Sequence, residues 1–554
     1  MPERIVLIGY GPVGARFVEE LLPAVRSGLV SLTVIGAESA HAYNRVLIAE
    51  YAVGQTDRDG LEMTDPDEAR SAGVRIIAGT SVTAINRTRR TVTLGAEGAG
   101  ALEQLPYDRL VLATGARANV PTLDGVLRVR RDRMMPPTDA ATLDSATPDS
   151  AGAQLPRGVT VLRDLTDANT VLAAVRAGKR IVVLGAGVLG MEIALAAARA
   201  GSETCVVYHD EVPMARNLDR GGGTVLARSA RRAGVTMVNH SRAESLVVRL
   251  DADGVERFDA LVCADGKQIN GDLLLLSCGV GARTELAHLA GLPVSAGILV
   301  DEQLRSWGDP QIYAIGDCAH IAQKPDADAW SATPAGGPSG LVGPGWRQAD
   351  WLAARFSAEA AGSVEVFDAI EQRQSIVMLK AEGIDVVAAG VTAPDPWDSD
   401  SDPASSHSDD CESVPLSVSQ WADPEHGRYV KMVTRRGILH GFVCVGMPRT
   451  AAELTLLFER GSELPADRSV LLRYDGPDYE PSSSGNAFAL ESTVCWCNGV
   501  TVGAIAESVA AGNASVECIS AATRAGTGCG GCKGRIGEVL ERFARADGPR
   551  ESVA

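Results

Sequence analysis

The sequence predicts an α/β chain of two doubly wound units, followed by an α+β unit and a small helical unit at the carboxyl end. Three observations predict it. The apolar run Ile5-Val6-Leu7-Ile8 enters the glycine turn Gly9-Tyr10-Gly11-Pro12-Val13-Gly14, and residues 15–22 beyond it are apolar at helical spacing. The same succession of strand, turn and helix recurs at Ile181-Val182-Val183-Leu184, Gly185-Ala186-Gly187-Val188-Leu189-Gly190 and residues 191–196. Two close cysteine pairs, Cys495 with Cys497 and Cys529 with Cys532, stand near the end of the chain.

A glycine turn that opens a helix leaves N–H groups unpaired and lets backbone approach a pyrophosphate closely. Gly9, Gly11 and Gly14 are therefore candidate cofactor-binding residues, and so are Gly185, Gly187 and Gly190. One such turn also occurs for packing alone. Two in one chain make the units Rossmann-like and point to two dinucleotides, or to one nucleotide and one flavin.

In chain order, Ser31-Leu32-Thr33-Val34-Ile35-Gly36 is the second strand and ends near Glu38. A carboxylate there grips a ribose hydroxyl, or is a solvated loop acid. Val111-Leu112 leads as a buried strand into the turn Ala113-Thr114-Gly115. From about 128 to 156, a basic run (Arg128-Val129-Arg130-Arg131-Asp132-Arg133) and then Pro, Ser, Thr and Asp without apolar period predict a surface connector. In the second unit, Cys205-Val206-Val207-Tyr208 ends at His209-Asp210, and Leu273-Leu274-Leu275-Leu276 is a buried strand. Gln311-Ile312-Tyr313-Ala314-Ile315 ends in Gly316-Asp317, and helical pattern resumes from Arg347 to about 361. From Phe367 strand-like runs at 375–379 and 429–433 and a helix at about 451–460 mark the α+β unit. Its acidic loop at 395–412 falls in a stretch without Lys or Arg and is expected to be mobile. Residues 477–485 are the expected linker to the last unit, whose helices fall at 502–511 and 536–544.

The 554 residues leave room for about three to five domains. A formal net charge of −18 argues against nucleic acid and against anionic membrane surfaces as partners. Apolar runs fall short of the about 20 residues of a membrane span, and no leader pattern precedes the first strand. The 11 cysteines, odd in number and scattered, do not resemble a secreted disulfide framework, so the expected location is cytoplasmic.

Four thiolates in two close pairs hold Zn²⁺ or an iron–sulfur cluster, so Cys495, Cys497, Cys529 and Cys532 are candidate metal ligands. The single residue between Cys495 and Cys497 is unusual for structural zinc. Glycines around Cys529 and Cys532 free N–H groups for inorganic sulfide, and the following helix turns its positive end to an anionic cluster. Cys205, Cys263, Cys278 and Cys318 read as packing residues. No close cysteine pair follows the first glycine turn, which disfavours a disulfide reductase.

Assembled, these motifs resemble the FAD-dependent pyridine-nucleotide oxidoreductases of the glutathione-reductase fold. More narrowly, the chain is similar to the amino-terminal half of the NAD(P)H assimilatory nitrite reductase large subunit. The resemblance places FAD on Gly9, Gly11 and Gly14 and NAD(P)H on Gly185, Gly187 and Gly190. It suggests Arg45, in Tyr43-Asn44-Arg45-Val46-Leu47, as a flavin contact, matches Ala113-Thr114-Gly115, and gives Asp317 of Gly316-Asp317 the flavin ribityl chain. Cys495-Trp496-Cys497-Asn498-Gly499-Val500 and Ala525-Gly526-Thr527-Gly528-Cys529-Gly530-Gly531-Cys532 resemble the [2Fe–2S] domain of bacterioferritin-associated ferredoxin. Ala49 and Glu50 depart from the serine and lysine of related ferredoxin reductases, and His209 stands where NAD-selective enzymes carry an acid. No arginine pair for a 2′-phosphate follows it, which favours NADH.

The implied domains are FAD-binding at 1–125 and 283–362, NAD(P)H-binding at 156–282, α+β at 363–476 and [2Fe–2S] at 490–547. The α+β domain is expected beside the flavin. The sequence ends after the cluster domain, so the expected role is an NADH-oxidising electron-transfer subunit rather than a nitrite-reducing enzyme. Its expected partner is the catalytic chain of a molybdenum-dependent assimilatory nitrate reductase. The alternatives are a ferredoxin or rubredoxin reductase, the reductase component of a nitrite system, and a redox-responsive iron–sulfur binding protein.

Overall fold

A computed structural model of the chain describes residues 2–95, 103–128, 153–251, 254–324, 334–364, 366–370, 375–381, 383–397, 415–476, 488–495, 498–528 and 530–546. Most of the basic connector, most of the acidic loop, the linker, Cys497 and Cys529 lie outside the described residues. The chain divides into two compact units, residues 1–47, 57–119 and 280–373 in one, and 48–56, 120–279 and 374–554 in the other.

The first unit is organised on five parallel strands in the order Asp309–Ala314, Arg109–Leu112, Glu3–Ile8, Val30–Ile35, Arg75–Ile77. Such strands are covered on both faces, which is why they are nearly continuous apolar runs. Ile5, Leu7, Val34, Leu110, Val111 and Ile312 are each at most 1% exposed. The helices Pro12–Arg26 and Val342–Ala360 pack together, with Phe17 edge-on to Phe356 at 6.0 Å. Arg16 fixes their register by donating Nε and a terminal nitrogen to the two Asp350 oxygens at 2.5 and 3.0 Å. The second helix begins five residues before the sequence pattern at Arg347, because Gly343, Pro344 and Gly345 disguise its first turn. Gly345 is needed there, since its Cβ would stand 2.6 Å from Val13.

In the second unit, five parallel strands run in the order Val159–Thr160, Leu273–Leu276, Ile181–Leu184, Thr204–Val207, Val235–Val238. Three antiparallel strands, Ala243–Leu250, Glu256–Cys263 and Gln268–Asn270, form a separate meander. The α+β part is a five-stranded antiparallel sheet ordered Ile376–Ala381, Ile384–Gly390, Ile438–Val445, Arg428–Arg435, Ser417–Asp423, with the helix Pro448–Arg460 behind it. Its strand Arg428–Arg435 packs against the helix Arg220–Arg232 of the doubly wound part of the same unit. The carboxyl end pairs Thr493–Cys495 with Val500–Thr501 and adds the helices Val502–Ala510, Val516–Thr523 and Lys533–Ala546 around Ile505, Ile519, Ile536 and Val539. Ala49 and Glu50 lie on the short helix Ile48–Ala52, tied through Tyr51 Oη to Asn169 Oδ1 at 2.8 Å, both in this second unit. Among the described residues, no helix is long and apolar enough to cross a membrane.

Candidate functional site

The first glycine turn is shaped by close backbone approach. Gly9 has φ +109°, and a Cβ there would overlap the carbonyl oxygen of Ala113; one on Gly14 would overlap the carbonyl oxygen of Gly9. Gly11 differs. The nearest atom to its Cβ position is Arg45 Nε at 4.0 Å, so the space above it is open. Gly11 is also the N-cap of the helix Pro12–Arg26, and no side chain caps that end. The first-turn N–H groups are thereby left for an anion.

Around this helix start the structure gathers the other candidates of the first unit. Ala113 N–H donates to Ile8 O at 2.8 Å, which sets the Ala113-Thr114-Gly115 turn beside Gly9. Thr114 Oγ1 donates to Arg283 O at 2.9 Å, and Gly115 has φ +70° with open space at its Cβ position. A Cβ on Gly316, at φ +74°, would stand 3.1 Å from Val13, and Gly316 donates its N–H to Gln348 Oε1 at 2.6 Å, so Asp317 begins beside the same helix turn. Glu38 and Arg45 meet in an ion pair, and Tyr43 Oη donates to Glu38 Oε2 at 2.9 Å. The guanidinium of Arg45 lies 5.1 Å from the Tyr43 ring centre. Glu38 is thus held by Arg45 and Tyr43 while its side chain stays 38% exposed. Tyr43 and Gln348 carry no motif of their own in the sequence; Tyr43 stands two residues before Arg45, in the segment that carries the family resemblance.

The second turn repeats the geometry. Gly185 has φ +109°, its Cβ would overlap the carbonyl oxygen of Ser277, and a Cβ on Gly190 would overlap the carbonyl oxygen of Gly185. Gly187 caps the helix Val188–Arg199 and has no described atom within 4 Å of its Cβ position. Beyond the strand Thr204–Val207, His209 and Asp210 pair at 3.1 Å on the surface.

At the carboxyl end Cys495 closes the strand Thr493–Cys495, and Cys532 precedes the helix Lys533–Ala546. The two are 2% and 8% exposed, and their thiols share a hydrogen bond. That bond lowers the pKa of Cys495 below the usual thiol value; burial opposes it, and the N–H groups of Gly526 and Asn498 assist. Asn498 Nδ2 donates to Arg524 O at 2.8 Å and Thr527 Oγ1 at 3.2 Å and lies 3.8 Å from Cys495 Sγ. It ties the two cysteine-bearing loops together. By contrast, burial pushes Cys205 and Cys278 up to about 11 and raises Cys263 and Cys318, as befits packing thiols.

The family model described as pyridine nucleotide-disulphide oxidoreductase matches residues 3–336. The chain belongs to that family. This oxidoreductase carries a second match, to the BFD-like [2Fe-2S] binding domain, over residues 493–542. The two families imply FAD and NAD(P)H in the larger part and a [2Fe–2S] cluster in the smaller. The local structure fits both: the open middle glycine of each turn leaves a cradle that a Cβ would narrow, and buried Cys495, beside buried Cys532, is a thiolate-favouring sulfur.

Among known proteins, the oxidoreductase is 26% identical over 546 residues to nitrite reductase [NAD(P)H] of Bacillus subtilis (98% of this chain, 58% of the relative). It is 24% identical over 548 residues to the assimilatory nitrate reductase electron transfer subunit of the same organism (98% and 60%). The chain thus spans less than two thirds of these relatives' length. Its fold matches the ferredoxin reductase for the CYP199A2 system of Rhodopseudomonas palustris, with a TM-score of 0.63 at 22% identity (85% of this chain, all of that one).

Proposed function

We propose that this NAD(P)H-dependent flavin oxidoreductase oxidises NADH and passes electrons through FAD and the [2Fe–2S] cluster to a separate catalytic chain, the molybdenum-dependent assimilatory nitrate reductase. The observation that carries the proposal is the pairing, in one chain, of two glycine turns with open middle glycines and a buried thiol pair in a separate small fold. The nitrate reductase electron transfer subunit of Bacillus subtilis, which this chain matches over 98% of its residues, supports the choice of acceptor.

The first turn, with Gly9, Gly11 and Gly14, holds FAD, aided by Glu38, Arg45, Ala113-Thr114-Gly115 and Gly316-Asp317. The second, with Gly185, Gly187 and Gly190, holds NADH. When bound, the flavin accepts a hydride and releases electrons singly, and the cluster carries them one at a time. The protein's residues supply position and charge rather than an acid or base. Asp210, exposed beside His209, disfavours a 2′-phosphate by like-charge repulsion, which is why NADH is the proposed donor. Cys495, Cys497, Cys529 and Cys532 ligate the cluster, and Asn498 holds their loops in register.

The test is reconstitution: NADH-driven nitrate reduction by the holoprotein mixed with a nitrate reductase catalytic chain. A second reading, the reductase component of a nitrite system, is favoured by the match to nitrite reductase. Nitrite consumption with a sirohaem-containing partner, and none of nitrate with the molybdenum chain, would replace the first reading by the second.

A further inference from the structure

The loop between the strand Thr204–Val207 and the helix Arg220–Arg232 is held in its middle and at its carboxyl end by other parts of its unit. In its middle Met214 donates its N–H to Ala186 O at 2.8 Å, inside the second glycine turn. Asn217 and Leu218 donate back to Met214 O at 2.8 and 2.9 Å. Met214 has φ +54°, a conformation that a non-glycine residue keeps only where its surroundings hold it. Val212, Met214 and Leu218 are all buried.

At the carboxyl end of the loop, Asp219 caps the helix, its Oδ1 accepting from Gly222 N–H at 3.2 Å. Its Oδ2 accepts from Tyr429 Oη at 2.5 Å and from Lys431 Nζ at 3.2 Å. Lys431 is 2% exposed and also donates to Thr392 O at 2.8 Å. The partners of Asp219 therefore come from the α+β sheet, more than two hundred residues away in sequence. The run Gly221-Gly222 has the same origin, for a Cβ on either would stand 2.6 Å from the Tyr429 ring or 2.7 Å from Val443. Glycine inside a helix costs about 1 kcal/mol relative to alanine, so the close approach of the sheet is what keeps it there.

We propose that Asp219 is a positioning residue for the nicotinamide nucleotide, clamped by Tyr429 and Lys431, so that the α+β sheet tunes how tightly the second glycine turn binds NADH. The proposal rests on the reading that this turn receives the NADH pyrophosphate. The connection is short: the sheet fixes Asp219, Asp219 ends the loop, Met214 of the loop rests on Ala186, and Ala186-Gly187 is the backbone that the pyrophosphate approaches. Removing the Lys431 ammonium leaves a largely buried carboxylate without its counter-charge. Asp219 then turns toward water and the loop loses its footing. Burial, reinforced by Asp219, pushes the Tyr429 hydroxyl far above neutral, so it stays a donor at working pH.

The test compares full-length, FAD-loaded Lys431→Met, Tyr429→Phe and Lys431→Arg with the parent. NADH affinity is read from fluorescence titration, KM and kcat with ferricyanide as acceptor, and loop order from amide exchange at Met214. The expected result is a Kd and KM for NADH raised about 2- to 30-fold in the first two variants, with kcat and FAD content near parental. Met214 exchanges faster in both, and Lys431→Arg recovers most of the affinity. A purely structural role would lower the folded, flavin-loaded fraction and leave KM alone. Should Lys431→Met fail to fold, Tyr429→Phe decides, because it keeps the ion pair. Parental Kd and exchange in folded Tyr429→Phe overturn the proposal. Gly187→Val separates the underlying reading: an unchanged Kd there refutes the turn as the NADH site and the proposal with it. A raised Kd in Gly187→Val, beside parental values in the clamp variants, overturns the clamp alone.

Discussion

The carbonyl oxygen of Ala113 occupies the place where Gly9 would carry a Cβ. Ser277 and Gly185 stand in the same relation in the other unit, so each turn is built by a neighbouring strand end pressing on its first glycine. Alanine at either position meets both that oxygen and a φ of +109°. Gly9→Ala is expected to give protein without flavin absorbance. Gly185→Ala is expected to retain flavin, with NADH no longer bleaching it. Each change costs about 1–3 kcal/mol of local strain, read as a lower Tm.

Asn498 should govern how firmly the cluster is held. It bridges the loop after Cys495 to the Arg524–Thr527 turn by two hydrogen bonds. Asn498→Ala loses about 1–3 kcal/mol and frees one loop from the other. The expected outcome is faster loss of cluster absorbance on incubation with a chelator, with flavin reduction by NADH unchanged.

Asp167 gives a pH signature. Its carboxylate accepts from the N–H groups of Arg163 and Asp164 at 2.9 and 3.3 Å in a capping box at the helix Leu165–Arg176. Burial, with Asp164 second, raises its pKa from 3.8 to about 6. Because the folded value lies above the unfolded one, the native state holds the extra proton between those pH values. This residue's contribution therefore falls as pH rises from about 4 to 6. The difference in unfolding free energy between Asp167→Asn and the parent should grow across that window in the variant's favour and be flat above it.

The strands and turns were legible because buried parallel strands are continuous apolar runs and the turns demand glycine at fixed spacing. The helix Arg220–Arg232 was not, since Arg220-Gly221-Gly222-Gly223 looks like a loop. It exists because Asp219, next to it in sequence, caps it and because the α+β sheet needs its bare face, and the second cause is not local. The helix Leu165–Arg176 differs, since its start is local, a capping box of Asp164 and Asp167, in which an aspartate stands at the place usually taken by Glu or Gln. Glu38 and Arg45 were both named, but not their meeting, which depends on how the chain folds back after Ile35. Cys495 and Cys532 were legible as candidate ligands from the two close cysteine pairs and the glycines around them, whereas the bridge made by Asn498 is visible only once the two loops are side by side.

The central claim is an ordered relay from NADH through the flavin to sulfur-ligated iron, and anaerobic rapid mixing of the Cys532→Ser variant with NADH tests it most directly. The account predicts flavin bleaching at the parental rate and no reduced-cluster signal by electron paramagnetic resonance. Loss of flavin bleaching together with the cluster, or a reduced-cluster signal in Gly9→Ala protein lacking flavin, would contradict it.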